Sequence, residues 1–189
     1  MVSARRGRAA RPFSPRPDTA APPHHPDAFI APVAVHGPMP GLWFEEFETG
    51  RTISHEGRLK LTMEDNVAFC RLTRNTQPLH LDEDYARTTR FGQIVVNGLY
   101  TFAASVGMSV GDLTEGTLVA NLAYEDVVHP APVFPGDTIR VTSEVLEARP
   151  SSKPGRGVVT LRHRVFNQDH VEVCRYRRIA LVQRRPEAA

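Results

Sequence analysis

The chain has 189 residues, 41% of them hydrophobic, and a formal net charge of +2 with a pI near 8.7. This length and composition predict one globular domain with a sizeable core, and the nearly balanced charge gives no signal for a nucleic-acid partner. No apolar run reaches the roughly 20 residues that cross a bilayer, so we expect no membrane contact. Cys70 and Cys174 form neither a CxxC pair nor a zinc-type cluster. They predict reduced thiols in a cytoplasmic protein.

Residues 1–40 differ in composition from the rest of the chain. Five arginines precede Asp18, the first acidic residue, and nine prolines lie between Pro12 and Pro40. Because proline lacks a backbone N–H donor and fixes φ, neither a helix nor a sheet extends through such a segment. We predict a disordered, solvated, Pro/Arg-rich tail. A targeting peptide and a nucleic-acid contact are the alternatives, although the prolines disfavour the amphipathic helix that targeting usually needs.

The folded pattern begins with a strand predicted over residues 52–60. Thr62, with Asp65 three positions later, is typical of a helix N-cap. The polar run TRNTQPLHLD, residues 73–82, follows this helix, and Asp82 predicts the N-cap of a short second helix. Taken alone, the run indicates a turn between two helices, because a single loop histidine is more often structural than catalytic.

A longer helix is predicted within FGQIVVNGLYTFAASVGMSV, residues 91–110. Apolar residues recur there with the i, i+3, i+4 spacing of one helical face. The predicted buried face consists of Leu99, Phe102, Ala103, Val106 and Val110. Small residues such as Gly98 and Ser105 would let a neighbouring backbone come close, so this segment is predicted to be a buried central helix.

The rest of the chain is predicted to be β-structure. Strands are expected at about 117–128, 138–146, 159–165 and 171–183. Asp137, in the sequence PGDT, is predicted to be a turn residue ahead of a strand. Three arginines of the last strand are predicted on a solvated face: Arg175, Arg177 and Arg178. The order of elements predicts an α+β fold in which a curved antiparallel sheet wraps around one long central helix.

Three segments, taken in order, carry a family resemblance. They are NTQPLHLDEDYARTTRFG (75–92), VVNGLYTFAASVG (95–107) and PVFPGDTIRV (132–141). With them the chain resembles the MaoC-like hydratase/dehydratases of the hotdog fold, which share a loop of the form Asp-x-Asn-Pro-x-His-x-Asp, a short helix after it, and a glycine where the central helix begins. The resemblance covers residues 45–185. It implies that residues 41–189 form a single hotdog domain and act as a hydro-lyase.

A further set of segments is similar to a narrower group. These are NTQPLHLD, NGLYTFA, EGTLVANLAYEDV, SKPGRG and NQDHVEVCRYRRIAL. They look like the corresponding parts of the mesaconyl-CoA hydratases, also called β-methylmalyl-CoA dehydratases. The similarity implies reversible hydration of a short branched or dicarboxylic enoyl-CoA thioester. Coenzyme A would then be part of the substrate, and neither a metal nor a redox cofactor is implied.

The chain also departs from the family pattern. Asn75 stands where the family has its catalytic Asp, Gln77 replaces the usual Asn, and Asn97 replaces a His that often precedes the helix glycine. A helix serine of the R-specific hydratases falls on Val106, while Ser105 points to another side of the helix. The matching positions are Pro78, His80, Asp82 and Gly98.

The resemblance assigns three catalytic roles. His80 is the expected proton-transfer group, since imidazole titrates close to neutral pH. The Asn75 amide cannot take a proton, but it can orient a water molecule. The backbone N–H of Gly98, at the positive end of the central helix, is the expected oxyanion donor for the thioester oxygen. Gln77 and Asn97 are expected among the substrate-binding residues.

The missing Asp leaves three possibilities open. A second carboxylate could substitute, with Asp82, Glu125 and Asp126 as candidates, although Asp82 is better explained as a helix cap. The substrate's own carboxylate could assist instead. Alternatively, the chain could have lost activity and serve as a non-catalytic acyl-CoA-binding subunit.

Basic residues suggest contacts with a negatively charged substrate. Lys153 and Arg156 lie in the flexible run SSKPGRG and are candidates for the phosphates of coenzyme A. Arg74 and Arg90, together with Arg87, flank the polar loop and are candidates for a substrate carboxylate, while ordinary solvated charge is the competing interpretation. The histidines outside the loop are interpreted as structural: His55, His129, His163 and His170.

A single hotdog leaves a sheet edge open and its helix partly uncovered, so a homodimer or a larger even assembly is expected. A hotdog acyl-CoA thioesterase is the remaining alternative function. It would need a carboxylate or another activating group on the central helix, and residues 98–110 contain no acidic residue.

Overall fold

The computed structural model describes residues 41–186, so the predicted tail at 1–40 lies outside the described residues. The helices are α1 (Met63–Leu72), α2 (Glu83–Arg87), α3 (Gly98–Met108) and α4 (Val110–Leu113), with short 3₁₀ turns at Phe44–Glu46 and Pro78–His80. The strands are β1 (Thr52–Ser54), β2 (Leu59–Lys60), β3 (Leu118–Val128), β4 (Thr138–Pro150), β5 (Arg156–Phe166) and β6 (Glu172–Gln183). None of the helices between residues 41 and 186 has the length and apolar character needed to cross a bilayer.

The predicted helix starts are confirmed. The Thr62 side chain accepts a hydrogen bond from the Asp65 backbone N–H and so caps α1. Asp82 accepts one from the backbone N–H of Tyr85 and caps α2. These caps satisfy N–H groups that have no partner within the helix, which explains why the chain turns into helices at these points.

The six strands form one antiparallel sheet in the order β1-β4-β5-β6-β3. β2 pairs with residues 138–139 of β4, and β1 pairs with residues 142–144 of the same strand. The single strand predicted over 52–60 is therefore two short strands. With α3 against this curved sheet, the architecture is the predicted α+β hotdog fold.

The face that α3 turns toward the sheet differs from the prediction. Thr101, Ser105 and Ser109 are buried, whereas Leu99 is 57% exposed. Two of the three hydroxyls find partners: Ser105 Oγ donates to the Phe102 carbonyl oxygen and lies 3.1 Å from Tyr176 Oη, and Ser109 Oγ donates to the Val106 carbonyl oxygen. Thr101 Oγ1 has no hydrogen-bond partner among the described residues. Small side chains let the helix approach the sheet closely. The i, i+3, i+4 rule identified the helix but not its buried side.

A second apolar cluster lies under the segment that precedes β1. Phe44 and Phe47 pack there against Leu113 and against residues of β4, β5 and β6. The ring of Phe44 lies directly over Gly157, so that a Cβ atom at residue 157 would overlap its ring carbons. The packing of Phe44 therefore depends on a glycine at this position of β5.

Buried polar residues connect α4 to the middle of the sheet. His55 Nδ1 lies 2.7 Å from the carboxylate of Asp112, and His55 Nε2 lies 2.7 Å from Ser143 Oγ. Ser143 Oγ is also 2.8 Å from Nδ1 of His163, whose ring stacks on Tyr176. This geometry agrees with the prediction that His55 and His163 are structural.

Arg178 corrects the prediction of a fully solvated arginine face on the last strand. Only 1% of it is exposed, because its position in β6 points into the fold. Its Nε donates to Asn121 Oδ1 at 2.7 Å, and its Nη2 lies 3.4 Å from Thr114 Oγ1. These bonds satisfy Nε and Nη2, whereas Nη1 is buried without a hydrogen-bond partner among the described residues. Arg175 remains exposed, as predicted.

Candidate active site

A cavity of about 270 Å³ lies at the N-terminus of α3, between the segment that precedes this helix and the segment that follows β3. Its polar or charged lining side chains are those of His80, Arg90, Thr101 and His129, and Gly98 also lines it. The walls are largely apolar and come from Phe91, Val95, Val96 and residues 130–133. Two of the three predicted catalytic residues, His80 and Gly98, therefore share one space, although 18 positions separate them in the sequence.

The backbone around His80 is held at several points. Pro78 starts the 3₁₀ turn, the His80 N–H donates to the Gln77 carbonyl oxygen, and Asn66 Nδ2 donates to the His80 carbonyl oxygen at 2.9 Å. The ring is held by Nδ1, 2.7 Å from the carbonyl oxygen of Val95. Because a carbonyl oxygen only accepts, Nδ1 carries the hydrogen and Nε2 of the neutral ring has a free lone pair.

The start of α3 provides a donor in the same cavity. Asn97 caps this helix, since its Oδ1 accepts from the Leu99 N–H and its carbonyl oxygen accepts from the N–H groups of Tyr100 and Thr101. Within residues 41–186, the N–H of Gly98 has no hydrogen-bond acceptor. It is an unsatisfied donor at the positive end of an 11-residue helix.

Asn97 was predicted to bind substrate, but its geometry is that of a structural residue. It is 3% exposed and does not line the cavity. Its Oδ1 is used for the cap, and its Nδ2 points to Cys70 Sγ at 3.6 Å. Both ends of the amide make contacts inside the protein, and the substrate-binding role of Asn97 stays a prediction.

Asn75 and Gln77 lie beside the cavity, not in its lining. Asn75 Oδ1 accepts a hydrogen bond from the Gln77 backbone N–H at 3.0 Å, which closes a small turn ahead of the 3₁₀ helix. Asn75 is half-buried and Gln77 is exposed. The water-orienting role of Asn75 and the substrate-binding role of Gln77 stay predictions.

The three arginines near the loop have different surroundings. Arg90 lines the cavity, with its guanidinium 4.7 Å from the centre of the Phe91 ring. Arg87 faces away and pairs with Glu83 and Asp84 at 2.8 Å each. Arg74 is exposed, has φ of +55° and does not line the cavity. Only Arg90 is placed to meet a charged group of a substrate in this space.

Lys153 and Arg156 lie on the hairpin between β4 and β5. The cavity is near the start of β4, and this hairpin is at its other end, 13 residues later. That separation is about 40 Å along the strand. Within the described chain these two residues are not brought to the site, so their contact with coenzyme A stays a prediction.

No carboxylic acid is among the residues of the described chain that line the cavity. Asp82 is used as the cap of α2. Glu125 and Asp126, the other two candidates for a substitute, pair with Arg177 at 3.2 Å and 3.7 Å on the surface of the sheet. The carboxylate that position 75 lacks is therefore not replaced by any of these three.

His129 is in the cavity lining, although it was interpreted as structural from the sequence. It follows the end of β3 and precedes Pro130, so the chain turns there and the ring comes to lie against Gly98. Burial lowers the pKa of His129, and the backbone of Val173 partly offsets this effect. The nearest sequence signal is a histidine next to prolines close to a predicted strand end, which is too common a pattern to identify a site residue.

The chain matches the family model described as "MaoC like domain" over residues 45–166. It is 32% identical over 149 residues to mesaconyl-CoA hydratase of Cereibacter sphaeroides and 30% identical over 146 residues to β-methylmalyl-CoA dehydratase of Chloroflexus aurantiacus. These alignments cover 79% and 77% of this chain but only 43% and 41% of the two relatives, so the chain spans less than half of their length.

Among solved structures, the chain is similar to the MaoC-like dehydratase from Rhodospirillum rubrum. The TM-score is 0.68 at 29% sequence identity, over 77% of this chain and 99% of that one. The similarity therefore covers almost the whole of that protein.

Proposed function

Because this chain belongs to the MaoC-like domain family, we propose that it is a hydro-lyase that reversibly adds water to the double bond of an enoyl-CoA thioester. The observation that carries the proposal is the shared cavity of His80 and Gly98. One supplies a free imidazole lone pair and the other an unsatisfied helix N–H. Hydration of a conjugated thioester needs a base and an oxyanion donor on the two sides of the reacting atoms.

The proposed reaction proceeds without a cofactor, and coenzyme A enters as part of the substrate. Nε2 of His80 accepts a proton from water while the water oxygen bonds to the β-carbon. The electron pair of the double bond shifts toward the thioester oxygen, which accepts a hydrogen bond from the Gly98 N–H. The protonated His80 then returns the proton to the α-carbon. Dehydration follows the same steps in reverse.

We propose a short branched or dicarboxylic acyl group of the mesaconyl type. The names of two similar proteins, a mesaconyl-CoA hydratase and a β-methylmalyl-CoA dehydratase, support this choice. The small cavity favours a short acyl chain, and Arg90 in its lining is a suitable partner for a second carboxylate. Since the alignments cover less than half of those relatives, the relatives contain further segments that this chain does not match.

We further propose a homodimer formed through β3. This strand is an edge of the sheet and is 11 residues long, and it exposes the apolar side chains of Val119, Leu122 and Val127. Leu99, on the outer side of α3, adds a fourth exposed apolar residue. A long apolar edge strand is normally covered, and pairing with a second copy would cover it.

The buried free thiols Cys70 and Cys174 support a reducing compartment such as the cytoplasm.

One assay tests the proposed function. The protein is incubated with a series of enoyl-CoA esters, including mesaconyl-CoA and crotonyl-CoA, while enoyl thioester absorbance and free thiol are followed. Loss of absorbance without thiol release is expected. Thiol release would identify a thioesterase, and binding without either signal would identify a non-catalytic acyl-CoA-binding subunit.

A further inference from the structure

The cavity contains two imidazoles and no carboxylate from the described chain. We propose that His129 is a second catalytic residue of this site and holds the attacking water together with His80. This inference rests on the proposed hydratase function and specifies how the chain carries it out with an asparagine at position 75. Neither Asp82 nor the acidic pair Glu125 and Asp126 competes for this role, because each has a different partner outside the cavity.

The position of the ring is the first argument. A Cβ atom at residue 98 would lie 3.1 Å from both Cε1 and Nε2 of His129 and 3.3 Å from Cδ2. The Nε2 edge of the ring therefore packs against the first residue of α3, next to the N–H that receives the thioester oxygen. A glycine at position 98 is what permits this close approach, since any side chain there would push the ring away.

The charge state is the second argument. Burial lowers the pKa of His129 below its usual range, so the ring is neutral near neutral pH. The other titratable or charged side chains that line the cavity are His80 and Arg90. A neutral imidazole has one ring nitrogen that can accept a hydrogen bond from water.

In the proposed step, water lies between the two rings. One of its hydrogens bonds to Nε2 of His80, and this proton is transferred as the oxygen attacks the β-carbon. The second hydrogen bonds to the His129 ring, which fixes the direction of the oxygen lone pair without itself taking a proton. The transferred proton later returns to the α-carbon, so the step needs no other reactant.

The test compares three variants of the whole chain with the wild type. His129→Phe keeps an aromatic ring against Gly98 but has no hydrogen-bonding nitrogen. His129→Gln keeps a polar group that can hold water. His170→Asn replaces a histidine outside the cavity lining, and asparagine tolerates its positive φ of 63°. For each protein, kcat and KM for the best enoyl-CoA ester and binding of the saturated ester butyryl-CoA are measured.

We expect His129→Phe to lower kcat roughly 100-fold while KM and butyryl-CoA binding stay within about threefold, because the lost contact is to water. The kcat of His129→Gln should be at least about tenfold higher than that of His129→Phe. His170→Asn should match the wild type.

The possible results distinguish the role of His129 from the proposed hydratase function. A wild type that hydrates enoyl-CoA esters and a His129→Phe variant with equal kcat would overturn the role of His129 and leave the hydratase intact. A His129→Gln variant with no higher kcat than His129→Phe would do the same. A wild type without hydration activity on any ester would overturn both proposals.

Discussion

Nδ1 of His80 lies 2.7 Å from the carbonyl oxygen of Val95, and this contact fixes the tautomer of the ring. The hydrogen must be on Nδ1, so the basic nitrogen of the neutral ring is Nε2. The carbonyl belongs to the backbone just before α3. The orientation of the imidazole is thus set by the same segment that ends in the Gly98 N–H, which keeps base and oxyanion donor in a constant relationship.

His80→Asn should lower kcat for hydration by about 10²–10⁴-fold with little effect on folding. The asparagine Nδ2 occupies nearly the same position as Nδ1 and can still donate to the Val95 carbonyl oxygen, but the basic nitrogen is lost. Kinetics with an enoyl-CoA ester and a thermal unfolding curve measure the two effects. A folded His80→Asn protein with undiminished hydration would contradict the proton-transfer role.

Gly98→Ala should lower kcat/KM roughly tenfold, because its methyl group displaces the His129 ring. In a His129→Ala protein the same substitution should lower kcat/KM much less, because the ring that the methyl group would displace is absent. The kcat/KM values of the wild type, both single variants and the double variant give the coupling. Strictly additive effects would show that the two residues act independently.

Arg90→Gln should raise KM for mesaconyl-CoA about tenfold or more and leave KM for crotonyl-CoA, which has no second carboxylate, nearly unchanged. Arg90 is the arginine in the cavity lining, so only the charged acyl group should respond. Arg87→Gln is the matched control, because Arg87 pairs with Glu83 and Asp84 on the surface. Equal changes for both esters would assign Arg90 to the coenzyme A part of the substrate or to structure.

The buried ring of His163 should make stability depend on acid pH. Burial, with contributions from Arg178 and His55, lowers the pKa of His163 to about 3. Between that value and the ordinary value of about 6.5, the unfolded chain binds a proton that the folded chain does not. The free energy of unfolding should therefore fall as pH decreases from 6.5 toward 3, by up to about 1.4 kcal/mol per pH unit from this residue.

His163→Phe removes this titration while keeping a ring to stack on Tyr176. Urea unfolding at several pH values should show a shallower pH dependence in the variant than in the wild type. Values at pH 8, where His163 is neutral in both states, give the effect of the substitution on packing. Parallel curves across the acid range would show that His163 does not titrate on unfolding.

Leu122→Lys should convert the proposed dimer into a monomer, because it places a charge in the middle of the exposed edge strand β3. Light scattering coupled to size-exclusion chromatography measures the mass. Leu72→Lys is the control, since Leu72 is 84% exposed at the end of α1 and is not part of β3. If the wild type is itself a monomer, or if both variants remain dimers, the β3 interface is wrong.

Sequence patterns predicted those parts of the fold that depend on neighbouring residues. Thr62 and Asp82 were identified as caps because a cap bonds to a backbone N–H only a few residues away. The long strands were predicted from alternation that the sheet preserves, as in Val141, Ser143 and Val145. His80 and Gly98 were found from the family resemblance, and the structure places them at one cavity.

The failures concern contacts between distant segments. The polar face of α3 is buried because Tyr176, 71 positions after Ser105, supplies a hydroxyl partner. Arg178 is buried because Asn121 on the neighbouring strand accepts its hydrogen bond. His129 joins the site because the chain after β3 passes across the start of α3. None of these pairings leaves a local pattern of spacing or composition.

The contact between Phe44 and Gly157 couples two segments that are far apart in the sequence. A side chain at residue 157 would occupy the space of the aromatic ring. Positions 44 and 157 should therefore change together among homologues, or both stay the same. Homologues with alanine or serine at position 157 are expected to have a smaller residue at position 44. In a randomised library, single substitutions of Gly157 should be depleted, and those paired with a truncated residue 44 should be recovered.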